Sequence, residues 1–68
     1  MTSMQFAGTS EIYHSPVQRW SEEESVLWLG RLFDPSVKRA TQVGPRVWKV
    51  TNGKRGSNKR TAIIVVCS

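Results

Sequence analysis

SEEESVLWLGRLFDP, residues 21–35, predicts an amphipathic helix together with both of its ends. Ser21 and Glu24 have the spacing of a capping box, in which each side chain bonds the backbone N–H of the other residue. The acidic first turn complements the positive end of the helix dipole. Asp34 precedes a proline and is therefore pushed out of the α region, so the helix is expected to end there.

One side of this helix is predicted to face a core. At 100° per residue, its main apolar side chains fall within an arc of about 160°. These side chains are Val26, Trp28, Leu29, Leu32 and Phe33. Leu27 lies outside the arc.

The next segment predicts a second, short helix. Asp34 is a good N-cap and the proline after it suits the first helical position. We expect about two turns over residues 35–43, with Val37 and Ala40 on the core side and Gly44 ending the helix.

The last third of the chain predicts a β-hairpin. Residues 46–51 alternate between apolar and polar side chains, and residues 61–67 form a β-branched run. Between them, NGKRGSNKR at 52–60 has the composition of a turn and carries four cations. Four hairpin side chains are expected to pack on the first helix: Trp48, Val50, Ile63 and Val65.

The predicted fold class is therefore α+β, with two short helices followed by a hairpin. Residues 1–16 are polar and lack a sustained period, so they are expected to form a flexible tail before a single domain at 17–68. The element order over about 21–67 resembles the minimal half of a winged-helix domain, which implies a recognition helix followed by a two-stranded wing.

A second resemblance implies the same broad function. The stretches around Trp20 and Trp48, residues 19–24 and 44–50, are similar to the tryptophan-bearing stretches of a Myb or SANT repeat. The two tryptophans stand farther apart than in that family, and residues 62–66 are rich in β-branched side chains where the family has a third helix.

Size and composition exclude several classes of protein. With 68 residues the chain is expected to hold one small domain, and no apolar run reaches the length of a membrane span. The N-terminus lacks the pattern of a signal peptide, and Cys67 has no second cysteine to pair with. We therefore expect a reducing compartment, cytoplasmic or nucleoid or nuclear, and neither metal nor cofactor. His14 and Cys67 lack the partners that catalysis needs, so no enzyme activity is expected.

Charge is distributed unevenly along the chain. Residues 1–34 contain all five acids and two arginines, a net charge of −3, whereas residues 35–68 carry eight cations and no acid, a net +8. A stretch without carboxylates cannot neutralise its own cations and projects positive potential toward an anionic partner.

The preferred hypothesis is nucleic-acid binding, to DNA more than to RNA, by a small regulatory or accessory protein of the kind that viruses and plasmids encode. The basic hairpin loop would follow the phosphate backbone, and Ser36 and Gln42 of the second helix would join its cations in reading bases. The candidate contact residues are Lys38, Arg39, Arg46, Lys49, Lys54, Arg55, Lys59 and Arg60.

The alternative hypothesis is a protein-interaction module or small inhibitor. Such a protein would place its basic face on an acidic partner, or add the strand at 61–67 to a partner's sheet edge. A homodimer is compatible with either hypothesis, since so small a domain gains stability from association.

Overall fold

The computed structural model describes residues 2–52 and 60–67, which form an antiparallel sheet with a helix packed on one face. The elements are β1 (Ser3–Phe6), β2 (Tyr13–His14), α1 (Glu22–Phe33), β3 (Val37–Gly44), β4 (Val47–Asn52) and β5 (Thr61–Cys67). The five strands lie in the order β2-β1-β5-β4-β3. After β1 and β2, the chain passes through α1 to the opposite edge of the sheet and returns by the meander β3-β4-β5.

The predicted first helix is confirmed at both ends. The Ser21 side chain accepts a hydrogen bond from the Glu24 backbone N–H, and its hydroxyl donates to the Glu24 carboxylate at 3.2 Å. Asp34 caps the C-terminus, where its N–H donates to the Gly30 carbonyl. α1 is too short to cross a membrane, and no longer apolar helix occurs among the described residues.

The predicted fold class is wrong, because the segment expected to form the second helix is the strand β3. β3 pairs with β4, and its register shifts between Val37 and Arg39. This β-bulge lets Val37 and Ala40, three residues apart, both point into the core, which imitates the spacing of a helix face. The likenesses to a winged-helix domain and to a Myb repeat therefore do not hold.

Asp34 ends one helix without starting another. Its carboxylate accepts hydrogen bonds from the backbone N–H and the hydroxyl of Ser36, at 3.0 and 2.8 Å, and from the Asn52 side chain at 3.0 Å. These bonds turn the chain directly from α1 into β3. The three donors, led by the Ser36 backbone N–H, lower the pKa of Asp34 to about 2.

The predicted hairpin is confirmed as the antiparallel pair β4–β5. The side chains predicted to face the helix are right for β4 and wrong for β5. Trp48 and Val50 are buried against α1 as expected. On β5, however, Ile64 is the fully buried side chain, and Ile63 and Val65 lie on the opposite face. The β-branched side chains occupy both faces of β5, so sequence alternation cannot distinguish the two registers.

The N-terminal residues contribute to the sheet. β1 pairs with β5, which places Met4 opposite Val66, and the Met4 side chain is fully buried. β2 adds a short edge strand through Tyr13. The segment expected to be a tail thus supplies one wall of the core.

The core lies between α1 and the sheet. Its buried apolar side chains are Met4, Val26, Leu29, Val37, Ala40, Trp48, Val50, Ile64 and Val66. Small residues let the helix approach closely: a Cβ on Gly30 would lie 3.1 Å from a methyl of Val50. Leu32, predicted to be in the core, is instead 60% exposed, because the buried side of α1 is centred on Ser25, Val26, Leu29 and Gly30.

Candidate nucleic-acid interface

The face of the sheet opposite α1 has no other element of the described chain packed on it. Successive strand residues point to opposite faces, so the side chains paired with the non-core positions share this open face. Its central row is Gln5, Val65 and Val47, and the next row is Ile63, Lys49 and Thr41. The row after that, nearer the end of β4 and the start of β5, is Thr61, Thr51 and Arg39.

The open face has a half-buried aliphatic centre. Val47 and Val65 are paired across the adjacent strands β4 and β5, and Ile63 is two residues before Val65; all three side chains are partly buried. The central rows of this face contain no aromatic side chain, so its described centre is aliphatic and hydroxyl-rich rather than a stacking platform.

Arg39 and Lys49 bring positive charge to this face. Arg39 pairs with Thr51, and Lys49 is two residues before Thr51 on β4. Arg39 and Lys49 are therefore diagonal neighbours, whose Cα atoms lie roughly 7–8 Å apart. Both side chains are exposed. Within the described ranges, neither forms an ion pair with a carboxylate.

Two further predicted contact residues border the face. Lys38 is exposed at the bulge of the edge strand β3. Arg46 lies in the tight turn between β3 and β4 with φ +58°, and its carbonyl accepts a hydrogen bond from the Val66 N–H at 2.8 Å. This bond fixes the backbone from which the exposed Arg46 side chain projects.

Arg60 lies on the other side of the sheet, apart from these cations. Its guanidinium group stacks over the ring of Phe33, 4.9 Å from the centroid, and it contributes to the lowered pKa of Asp34. Lys54, Arg55 and Lys59 lie outside the described residues, as does most of the predicted basic loop. The structure therefore brings together Arg39 and Lys49, with Lys38 and Arg46 at the margins.

The acidic side chains are segregated in the helix layer. None of the described strands contains Asp or Glu. Glu22, Glu23 and Glu24 form the first turn of α1, Asp34 caps it, and Glu11 accepts a hydrogen bond from the Tyr13 hydroxyl at 2.8 Å. Glu22 also accepts a bond from the indole N–H of buried Trp48 at 2.8 Å, which ties the start of the helix to the sheet.

Groups with catalytic potential occur at one end of the open face. The Ser3 hydroxyl and the His14 Nδ1 are 3.0 Å apart, and the Cys67 thiol donates to the Gln5 side chain at 3.5 Å. Register places His14, Ser3 and Cys67 in one row across three strands. The described residues contain no cluster of three metal-ligating side chains.

Sequence reasoning missed the open face because it expected Ile63 and Val65 to pack on the helix, whereas Ile64 and Val66 do so. The signal that was present is the run of β-branched residues with apolar side chains at odd and even positions, which places apolar side chains on both faces of the strand. No protein-family model, no curated protein and no solved structure matched the chain.

Proposed function

We propose that the protein binds nucleic acid through the open face of its sheet. The observation that carries this proposal is the separation of charge between the two layers: Arg39 and Lys49 share a face whose strands contain no carboxylate, while the acids lie in and beside α1. A polyanion approaching the open face meets cations on strands that contain no carboxylate, whereas one approaching the start of α1 meets three glutamates.

Affinity in this proposal comes from phosphate contacts rather than from base readout by a helix. α1 begins with three glutamates, which would repel the backbone of a duplex, and residues 37–44 form a strand. Binding is therefore expected to depend weakly on sequence and strongly on salt, because each neutralised phosphate releases counterions.

The aliphatic centre favours a single-stranded ligand. The rows containing Ile63, Val65 and Val47 adjoin Lys49, so an anionic ligand held by the cations lies beside an apolar surface. A single strand can turn the faces of its bases toward that surface, whereas in a duplex the base faces are stacked on one another and only base edges are accessible in the grooves. Either DNA or RNA satisfies this chemistry, and single-stranded DNA is the first ligand to test.

The test is the salt dependence of binding to a labelled oligonucleotide of mixed sequence. If Lys38, Arg39, Arg46 and Lys49 contact about four phosphates, the logarithm of affinity falls against the logarithm of salt with a slope of about −2.8 for a single strand. Replacing both Arg39 and Lys49 by Gln should bring the slope to about −1.4.

A matched control removes one charge elsewhere. Lys49→Gln is expected to weaken binding, and Arg19→Gln, in the exposed segment before α1, is expected to leave it nearly unchanged. A flat salt response, or equal losses for the two variants, would exclude the open face as the nucleic-acid site.

The second candidate function is docking on an acidic protein surface, which the same aliphatic and cationic side chains favour. This candidate uses the side chains of the face and not an added strand, because β5 is hydrogen-bonded to β1 on one side and β4 on the other. Capture from lysate with and without nuclease separates the two functions: partners retained after digestion support protein docking.

A further inference from the structure

The outer side of α1 leaves apolar side chains partly uncovered. Leu27 and Trp28 pack against the core with one part of the side chain and are only partly buried, and Trp20 from the preceding segment and Leu32 lie beside them. Together with Glu24 and Arg31 these residues line an open groove of about 300 Å³. Leu32 is 60% exposed, so the helix leaves a large apolar side chain without cover from the rest of the described chain.

The charges of this groove are placed symmetrically about its middle. Glu24 and Arg31 are seven residues apart, about two helical turns, and the midpoint falls between Leu27 and Trp28. At 100° per residue these four side chains fall within an arc of about 100°, whose centre lies opposite the fully buried side of α1 at Ser25, Val26, Leu29 and Gly30. The groove therefore has a negative end, an apolar middle and a positive end.

Glu24 and Arg31 each use one side-chain atom in a hydrogen bond within the chain, and their other polar side-chain atoms are available to a partner. The Glu24 Oε1 accepts from the Ser21 hydroxyl at 3.2 Å, which leaves Oε2. The Arg31 Nε donates to the Val37 carbonyl at 3.3 Å, which leaves the two terminal nitrogens. Within the described ranges, neither residue forms an ion pair. Side chains that are already positioned lose less conformational entropy when they bind a partner.

We propose that the occupant of this groove is the α1 helix of a second copy of the chain, related by a twofold axis. Two antiparallel copies centred between Leu27 and Trp28 place Glu24 of each copy opposite Arg31 of the other. The same arrangement brings the Trp20 end of each groove to the exposed Leu32 of the other copy. One surface is thus complementary to itself in both charge and polarity, as a twofold interface requires.

The open sheet face is a poorer surface for this contact, because two copies placed face to face would bring Arg39 and Lys49 against their counterparts. Pairing through α1 instead leaves both open faces outside the dimer. The dimer is independent of the proposed nucleic-acid binding and is tested without nucleic acid.

The test is sedimentation velocity over a range of protein concentrations, with far-UV circular dichroism to confirm folding. Glu24→Arg alone and Arg31→Glu alone each turn two attractive pairs into repulsive ones and should weaken the dimer roughly thirtyfold. An equimolar mixture of these two variants restores both pairs and should form a heterodimer. A purely structural role for Glu24 or Arg31 would not produce this recovery.

Apolar variants give a matched comparison. Leu32→Gln should weaken the dimer about tenfold, whereas Ile12→Gln, which replaces a side chain exposed to a similar 54%, should leave it unchanged. A wild-type chain that stays monomeric throughout, or folded charge variants whose mixture stays monomeric, would overturn the proposal.

Discussion

Replacing Ser25 by Ala should stabilise the protein. Ser25 is fully buried between α1 and the sheet, and its hydroxyl oxygen has no hydrogen-bond partner. An unpaired buried hydroxyl costs about 1–3 kcal/mol. Alanine removes this cost and is also the better helix former by about 0.5 kcal/mol.

The net gain is smaller than the sum of these effects, because removal of the oxygen leaves a small void at the helix–sheet contact. We expect the free energy of unfolding to rise by about 1–2 kcal/mol, which corresponds to a Tm increase of roughly 7–14 °C in a domain of this size. Urea denaturation followed by tryptophan fluorescence measures the change.

Ser21→Ala is the matched control, since it makes the same chemical change four residues earlier. There the hydroxyl caps α1 by accepting the Glu24 N–H at 3.2 Å, so its loss should destabilise the protein by about 1 kcal/mol. Opposite signs for the two variants support the described packing. A Ser25→Ala variant less stable than wild type would show that the hydroxyl has a partner and refute the reasoning.

Three further predictions concern the junction of helix and sheet. Glu22→Ala removes the acceptor of the Trp48 indole N–H and should lower the free energy of unfolding by about 1–2 kcal/mol, measured by urea denaturation. Gly30→Leu forces a side chain into the space where a Cβ already lies 3.1 Å from Val50, and should cost about 2–3 kcal/mol or prevent folding, as judged by circular dichroism. The pKa of the Asp34 carboxyl is lowered to about 2 from an ordinary 3.8, so the carboxylate stabilises the fold fully above about pH 4 and loses this effect as the pH falls toward 2. Asp34→Asn should therefore lose stability less steeply over that pH window, as measured by acid titration.

The parts of the fold that were predictable from sequence depend on local signals. α1 was predicted with both ends because its capping box, its acidic first turn and the Asp34 stop all lie within the segment itself. The β4–β5 hairpin was predicted because its two apolar runs flank a segment of turn residues.

The parts that were not predictable depend on contacts between distant segments. The sequence of β3 predicts a helix because Val37 and Ala40 have the three-residue spacing of a helix face, and a bulge after Val37 gives a strand the same spacing. The incorporation of β1 depends on pairing with β5, some sixty residues away, which no local pattern in residues 3–6 reveals.

The sequence predicts which residues bring positive charge to the candidate site, but not which of them share one surface. The sequence predicts Arg39, Lys49 and Arg60 among the contact residues. Only the fold shows that Arg39 and Lys49 share the open face while Arg60 stacks on Phe33 in the helix layer. Which face a strand residue occupies depends on register, and register on β5 was ambiguous.

The most direct test of the proposed function is an NMR titration of the full chain with a single-stranded DNA of mixed sequence. The account predicts chemical-shift changes at residues of the open face, foremost Arg39, Lys49, Ile63 and Val65, with little change along the outer side of α1. Changes concentrated on α1, or no changes at low salt, would contradict the claim that this basic face binds nucleic acid.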